Sequence, residues 1–166
     1  MTMLEARGGG QRSYLEIAGV IEERSAATTA DLNQLWRRMA FSILISNTDD
    51  HLRNHGFLHE RADSWSLSPA FDLNPNPDPG PKELSTAIDF SDTRASVDTL
   101  MEVAEYFRLN AEGATDVLTR VSSAVGRWRA IAATHGLQQA DINAMEPAFE
   151  HAERKRAQTL TAKRPR

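Results

Sequence analysis

The stretch from Asp31 to Asn47 constrains this chain more than any other. Leu32, Leu35, Trp36, Met39, Ala40, Ile43 and Leu44 recur at helical spacing, which predicts a core helix ending near Ser46 and Asn47. Asp31 followed by Gln34 resembles a capping box and sets the expected start. Residues 25–30 read as a linker. Residues 13–24 read as a short helix with Tyr14, Leu15, Ala18 and Ile21 facing inward. Further on, Val97, Leu100, Met101, Ala104 and Phe107 share one face behind a Ser96 cap. Leu118, Val121, Val125 and Trp128 mark a longer helix that stops at Gly136, and Ile142, Met145, Phe149 and Ala152 mark the last, with Pro147 starting or kinking it. Trp36, Trp65 and Trp128 each sit in an apolar pattern and read as core.

One region breaks the helical period. Gly56–His59 and Trp65–Ser68 have strand character, with Glu60–Ser64 as the turn between them. Asn74–Pro81 carries alternating prolines at 75, 77, 79 and 81, which forbid helix and favour an extended surface loop. The expected fold is mainly α, a helical bundle with one small β-hairpin. It forms a single domain over 1–166, with an N-terminal loop at 1–12, a Pro-rich loop at 74–86 and a basic tail at 154–166.

Composition removes several chemistries. No cysteine is present, so disulfides, thiolate catalysis and cysteine-ligated zinc are excluded. No apolar run is long enough to span a bilayer, and Met1–Arg12 contains a Gly run rather than the apolar core of a signal peptide, so no membrane role is expected and a cytoplasmic location fits. The Gly8–Gly10 run reads as a flexible loop, since no strand precedes it and its spacing does not match a phosphate-binding loop. Residues 154–166 hold six basic residues and no acid; with an overall charge of −4, the remainder carries −10. Such a tail can touch nucleic acid or an acidic partner, and its plainer reading is a solvated, frayed terminus.

The chemistry concentrates where the core helix ends. Asp49, Asp50, His51, Arg53, Asn54 and His55 fall within seven positions. Asp49 and Asn54 are separated by four residues, the D-x-x-x-x-N spacing of a kinase catalytic loop. That chemistry needs an aspartate beside the acceptor hydroxyl and, shortly after it, an amide oxygen for Mg²⁺. His51 stands where a cationic or hydrogen-bonding group can meet a transferring phosphoryl. Asp72 is the candidate carboxylate for the metal. Paired strands lie about 4.8 Å apart, so a hairpin over 56–68 folds Asn54 and Asp72 towards one site. Protein kinases use the same order of catalytic loop, hairpin and metal aspartate, but the sequence here is Asp72-Leu73-Asn74 rather than D-F-G. Singly, each residue has a simpler account: Asp49 as a turn cap, Asn54 in a left-handed turn, Asp72 as a surface residue. Together, in this order, they point to phosphoryl transfer. His55 and His59 read as structural or exposed, and His135 and His151 lie on helical segments with no partner in view.

The strings Asn47-Thr48-Asp49-Asp50-His51-Leu52-Arg53-Asn54-His55-Gly56-Phe57-Leu58 and Trp65-Ser66-Leu67-Ser68-Pro69-Ala70-Phe71-Asp72-Leu73 resemble the HipA-like kinases, bacterial serine/threonine kinases of toxin–antitoxin modules. The resemblance extends over the flanking helices and implies a kinase-like C-terminal lobe. It implies Asp49 as catalytic base, Asn54 and Asp72 as Mg²⁺ ligands, and His51 beside the phosphates of ATP; it assigns Asp50 no role. It also implies a protein substrate and a small helix-turn-helix antitoxin of the HipB type as partner, with nucleic acid reached only through that partner. The kinase template further needs a strand lysine and a Gly-rich loop. The lysines here are Lys82, Lys155 and Lys163, all after the catalytic loop. A separate N-terminal lobe is therefore expected, and this chain alone is expected to be an incompetent kinase.

Two other classes fit parts of the pattern. A metal-dependent hydrolase would gather Asp49, Asp50, His51 and His55 around Zn²⁺ or Mn²⁺. A non-catalytic binding module would use the basic tail to hold a partner.

Overall fold

The computed structural model describes residues 12–61, 64–90 and 92–162. The Gly8–Gly10 run, Lys163, Arg164 and Arg166 lie outside these described residues. The architecture is mainly helical, with two small two-stranded sheets. Among the described residues no helix is long and apolar enough to cross a membrane.

A short strand β1 (Arg12–Ser13) leads into α1 (Tyr14–Arg24). Ser13 caps α1: its Oγ accepts the Leu15 N–H at 2.9 Å, and Glu16 Oε1 accepts the Ser13 N–H at 3.1 Å. The central helix α2 spans Thr28–Leu44. The seven apolar residues that predicted it are at most 1% exposed, and Trp36 donates its Nε1–H to Leu100 O at 3.1 Å.

The start of α2 corrects the sequence reading. The helix begins at Thr28, inside the expected linker, and no side chain caps it. Asp31 has a different task. Its Oδ2 accepts the Ser25 hydroxyl at 2.7 Å and the Leu67 N–H at 2.9 Å. A buried backbone donor needs a partner, and the carboxylate supplies one across the junction between α2 and the hairpin.

That hairpin is β2 (Phe57–Arg61) and β3 (Ser64–Leu67), antiparallel, with Phe57 opposite Leu67 and His59 opposite Trp65. Part of its expected turn, Ala62 and Asp63, lies outside the described residues. Trp65 is only half-buried, its ring 4.8 Å from that of His59, so it is less of a core residue than its pattern implied. The Pro-rich segment has no regular structure until β4 (Thr86–Ala87), which pairs in parallel with β1, Arg12 opposite Thr86.

The C-terminal half forms α3 (Val97–Glu102), a 3₁₀ turn over Ala104–Phe107, α4 (Ala111–Val125), α5 (Trp128–Thr134), α6 (Gln139–Ala144), α7 (Glu146–Phe149) and α8 (Ala152–Ala162). Ser96 caps α3 as expected, accepting the Thr99 N–H at 3.2 Å. The single helix expected up to Gly136 is divided at Gly126 and Arg127, and Trp128, the first residue of α5, stacks on Phe149 with ring centroids 4.3 Å apart. The last expected helix is likewise three pieces: Pro147 lies in the first turn of α7, and non-helical Glu150 (φ −113°) ends α7 before α8.

The basic tail is not frayed through Ala162. Within α8, Ala157 is fully buried and Arg154 is 5% exposed. Arg154 pairs with Glu150 at 2.9 Å and Arg156 with Asp98 at 2.8 Å, while Glu153 Oε2 accepts the Val97 N–H at 2.7 Å. Two of the charges that suggested a solvated end, Arg154 and Arg156, instead tie α8 to the end of α7 and to α3.

Candidate functional site

Helix α2 stops because Ser46 enters the left-handed region, with φ 55°. The Asn47 N–H then turns back to Ser42 O at 2.8 Å. The chain continues through Asn47–His51 and a 3₁₀ turn over Leu52–Asn54 into β2.

Asp49 and Asp50 point to different worlds. Asp49 is exposed, and its backbone O accepts the His51 N–H at 2.9 Å and Asn54 Nδ2 at 3.2 Å. The first and last residues of the D-x-x-x-x-N pattern are therefore joined directly. Since the Asn54 amide nitrogen is engaged, its Oδ1 is the oxygen left to accept from a donor or a cation. His51 is half-buried between them, and its Nδ1 has no hydrogen-bond partner.

Asp50 is 1% exposed and was given no role by the sequence. It accepts the Tyr14 hydroxyl at 2.6 Å and the Ser42 hydroxyl at 3.2 Å, and His55 Nε2 stands 3.1 Å from its other oxygen, at an angle poor for a hydrogen bond. Its backbone O accepts Thr86 Oγ1 at 2.7 Å. Burial pushes its carboxyl up, but His55, Tyr14 and Ser42 together outweigh that and hold it below its ordinary value. One signal for this hub was available: a tyrosine on the inward face of a helix needs a partner for its hydroxyl. Nearby Arg38, 6% exposed, donates to Ser68 O, and burial lowers its pKa.

Asp72 is exposed and also left-handed, with φ 56°; its Oδ1 accepts Asn74 Nδ2 at 2.6 Å. It makes this bond rather than one to Asp49 or Asn54, yet its segment is fastened to theirs on both sides. Upstream, the Ser68 N–H donates to Gly56 O at 2.9 Å. A Cβ on Gly56 would stand 3.0 Å from Ser68 Oγ and 3.6 Å from the Phe71 ring, so the absence of a side chain lets this stretch lie close. Downstream, Asn76 donates its N–H to Ser46 O at 3.1 Å and its Nδ2 to Thr48 Oγ1 at 3.0 Å. Farther along, Ser85 Oγ donates to Thr48 O at 2.9 Å and lies 3.5 Å from Asp49 Oδ1.

By residue type, the exposed Asp72 carboxylate and the amide oxygen of Asn54, itself 5% exposed, would suit a hard cation such as Mg²⁺, which takes few protein ligands when phosphates and water complete its shell. Zinc is a poorer match: among the described residues no group of three or more His, Asp or Glu side chains is placed to hold a metal. Asp50, needed for the hydrolase reading, is buried and committed to the Tyr14 and Ser42 hydroxyls, and His55 is buried beside it.

A loop closed on itself by the Asn54–Asp49 bond, a hairpin and a tethered Asp72 segment stand together on a helical body. The chain belongs to the HipA-like C-terminal domain family, whose match covers residues 1–128 and so includes every residue of this site. A curated relative from Sinorhizobium fredii (strain NBRC 101917 / NGR234), named "Putative kinase Y4dM", is 32% identical over 108 residues. That alignment covers 63% of this chain and 26% of the relative, so the chain spans about a quarter of that protein's length.

Proposed function

We propose that this chain is the catalytic lobe of a HipA-type serine/threonine protein kinase, transferring the γ-phosphoryl group of ATP to a protein hydroxyl. The observation that carries this reading is the 3.2 Å bond from Asn54 Nδ2 to Asp49 backbone O, which holds the two ends of the D-x-x-x-x-N pattern together beside the tethered Asp72 segment. In this reading the exposed Asp49 carboxylate orients the acceptor hydroxyl and takes its proton. Asn54 Oδ1 and the Asp72 carboxylate hold the metal, and His51 faces the phosphates. Mg²⁺ would supply charge neutralisation at the phosphates.

The reading pairs this lobe with an N-terminal, β-rich lobe that brings the phosphate-binding lysine; among the described residues the lysines are Lys82 and Lys155, neither on a strand. It also carries a cytoplasmic setting, a protein substrate and a helix-turn-helix antitoxin partner. The binding-module reading is weaker, because Arg154 and Arg156 already have carboxylate partners.

The test is transfer of labelled phosphate to a serine-bearing protein by the lobe joined to its nucleotide-binding partner. Asp49→Asn and Asp72→Asn each reduce transfer by about 100-fold or more. Only Asp72→Asn shifts the Mg²⁺ requirement. Undiminished transfer by Asp49→Asn would overturn the assignment of the base.

A further inference from the structure

Behind the catalytic loop the protein keeps a cavity of about 540 Å³. Phe41 and Ile45 reach it from the end of α2, Pro75 from the Pro-rich loop, Val125 from α4, Trp128 from α5 and Ile142 from α6. Its volume lies in the range of about 300–1,000 Å³ typical of small-molecule sites. The floor belongs to the core, with Val125 and Ile142 each 3% exposed, whereas Ile131 and Leu137 at the mouth are 48% and 45% exposed.

The chemistry of the walls selects the occupant. All lining side chains are apolar apart from the indole N–H of Trp128, and that donor is already held by Glu150 Oε1 at 3.0 Å. A polar group carried inside would lose its water and gain no partner. The walls come from several helices and a loop. A cation stands beside it: the Arg129 guanidinium lies 4.4 Å over the Trp128 ring. Its partner Glu146 is 2.7 Å away, but both side chains are substantially exposed, and such surface pairs are weak enough for a competing carboxylate to displace.

We propose that this cavity binds a single aliphatic chain bearing an anionic head, of the fatty-acid class, with the tail among Ile45, Val125 and Ile142 and the carboxylate at Arg129. The walls from Ile131 onward lie beyond the family match, which ends at residue 128, so the site is formed where the family domain meets this chain's C-terminal helices. It is also linked to the candidate active site. Ile45 precedes Ser46 and Pro75 precedes Asn76, and these two neighbours are joined by the 3.1 Å bond from Asn76 N–H to Ser46 O. An occupant would thus press on both segments that carry the Asp49 and Asp72 loops. The binding step itself does not depend on the kinase reading.

The experiment is calorimetric titration of the chain with decanoate and, separately, with decanol. Decanoate is expected to bind one per chain at micromolar concentrations. Ala132→Phe, which fills the cavity, weakens binding by about tenfold or more; Ala124→Leu serves the same purpose on a more exposed wall should the first variant fold poorly. Arg129→Gln weakens decanoate by about threefold and leaves decanol unchanged. With decanoate bound, hydrogen exchange slows at the Asn76 amide. No saturable decanoate binding at millimolar concentration, or binding indifferent to both filling variants, overturns the site. Equal affinity for decanoate before and after Arg129→Gln overturns the head-group assignment. A self-associated chain that becomes monomeric in Ala124→Leu identifies the occupant as a second copy and overturns the fatty-acid reading.

Discussion

The Tyr14 hydroxyl donates to Asp50 Oδ2 at 2.6 Å, across 36 positions of sequence, and so anchors the residue next to the candidate base to the first helix. Hydrogen bonds to a charged acceptor contribute about 1.5–3 kcal/mol. Tyr14→Phe is expected to destabilise the fold by that amount, measured by urea denaturation. A change below about 0.5 kcal/mol would mean the bond adds nothing to stability.

Asp50 also sets an acid limit. Its folded carboxyl lies below the ordinary 3.8, so the folded state holds fewer protons than the unfolded one at acid pH. The stability it contributes is complete above about pH 4 and is lost as pH falls through the folded value. Stability curves of the wild type and Asp50→Asn should converge on acidification below about pH 4. Parallel curves would place the acid sensitivity elsewhere.

Removing the Asp31 carboxylate should loosen the hairpin. Asp31→Ala leaves the Leu67 N–H, now bonded at 2.9 Å, without its acceptor. The expected cost is about 1–3 kcal/mol, with faster amide exchange at Leu67 than in the wild type. Unchanged exchange at that amide would refute the clamp.

His151 predicts a second pH effect nearer neutrality. Burial lowers its pKa below 6.5, partly opposed by Leu44 O, which lies 3.2 Å from Nε2. Its protonation therefore favours the unfolded chain, and stability should fall as pH drops below about 6.5. Thermal melts of His151→Gln at pH values on either side should show a smaller difference than the wild type. The carbonyl that His151 meets is 107 residues away, beyond the reach of any local pattern.

What could be read from sequence was what repeats locally. The apolar stripe of α2, the alternation in β3 and the spacing of Asp49 and Asn54 each lie within one element or one loop. The structure differs where the deciding partner is remote. Asp49 and Asp50 are chemically identical neighbours, and the buried one is the one that meets Tyr14, Ser42, His55 and Thr86, none of them adjacent in sequence. Asp31 looked like a cap because its hairpin partner Leu67 lies 36 positions on. Strands β1 and β4 have two residues each, too few for any period to register. Arg154 and Arg156 read as solvated because their carboxylate partners, Glu150 and Asp98, lie outside the basic run.

The backbone at Asp72 decides which substitution there is interpretable. A φ of 56° is tolerated by asparagine and aspartate but costs an alanine about 1–2 kcal/mol. Asp72→Ala would remove the charge and unseat the chain together, giving a loss with two causes. Asp72→Asn keeps the shape and the left-handed kink, so the same position offers a clean control for charge alone. Refolding yields and melting temperatures of the two variants should separate accordingly, with only the alanine variant departing from the wild type.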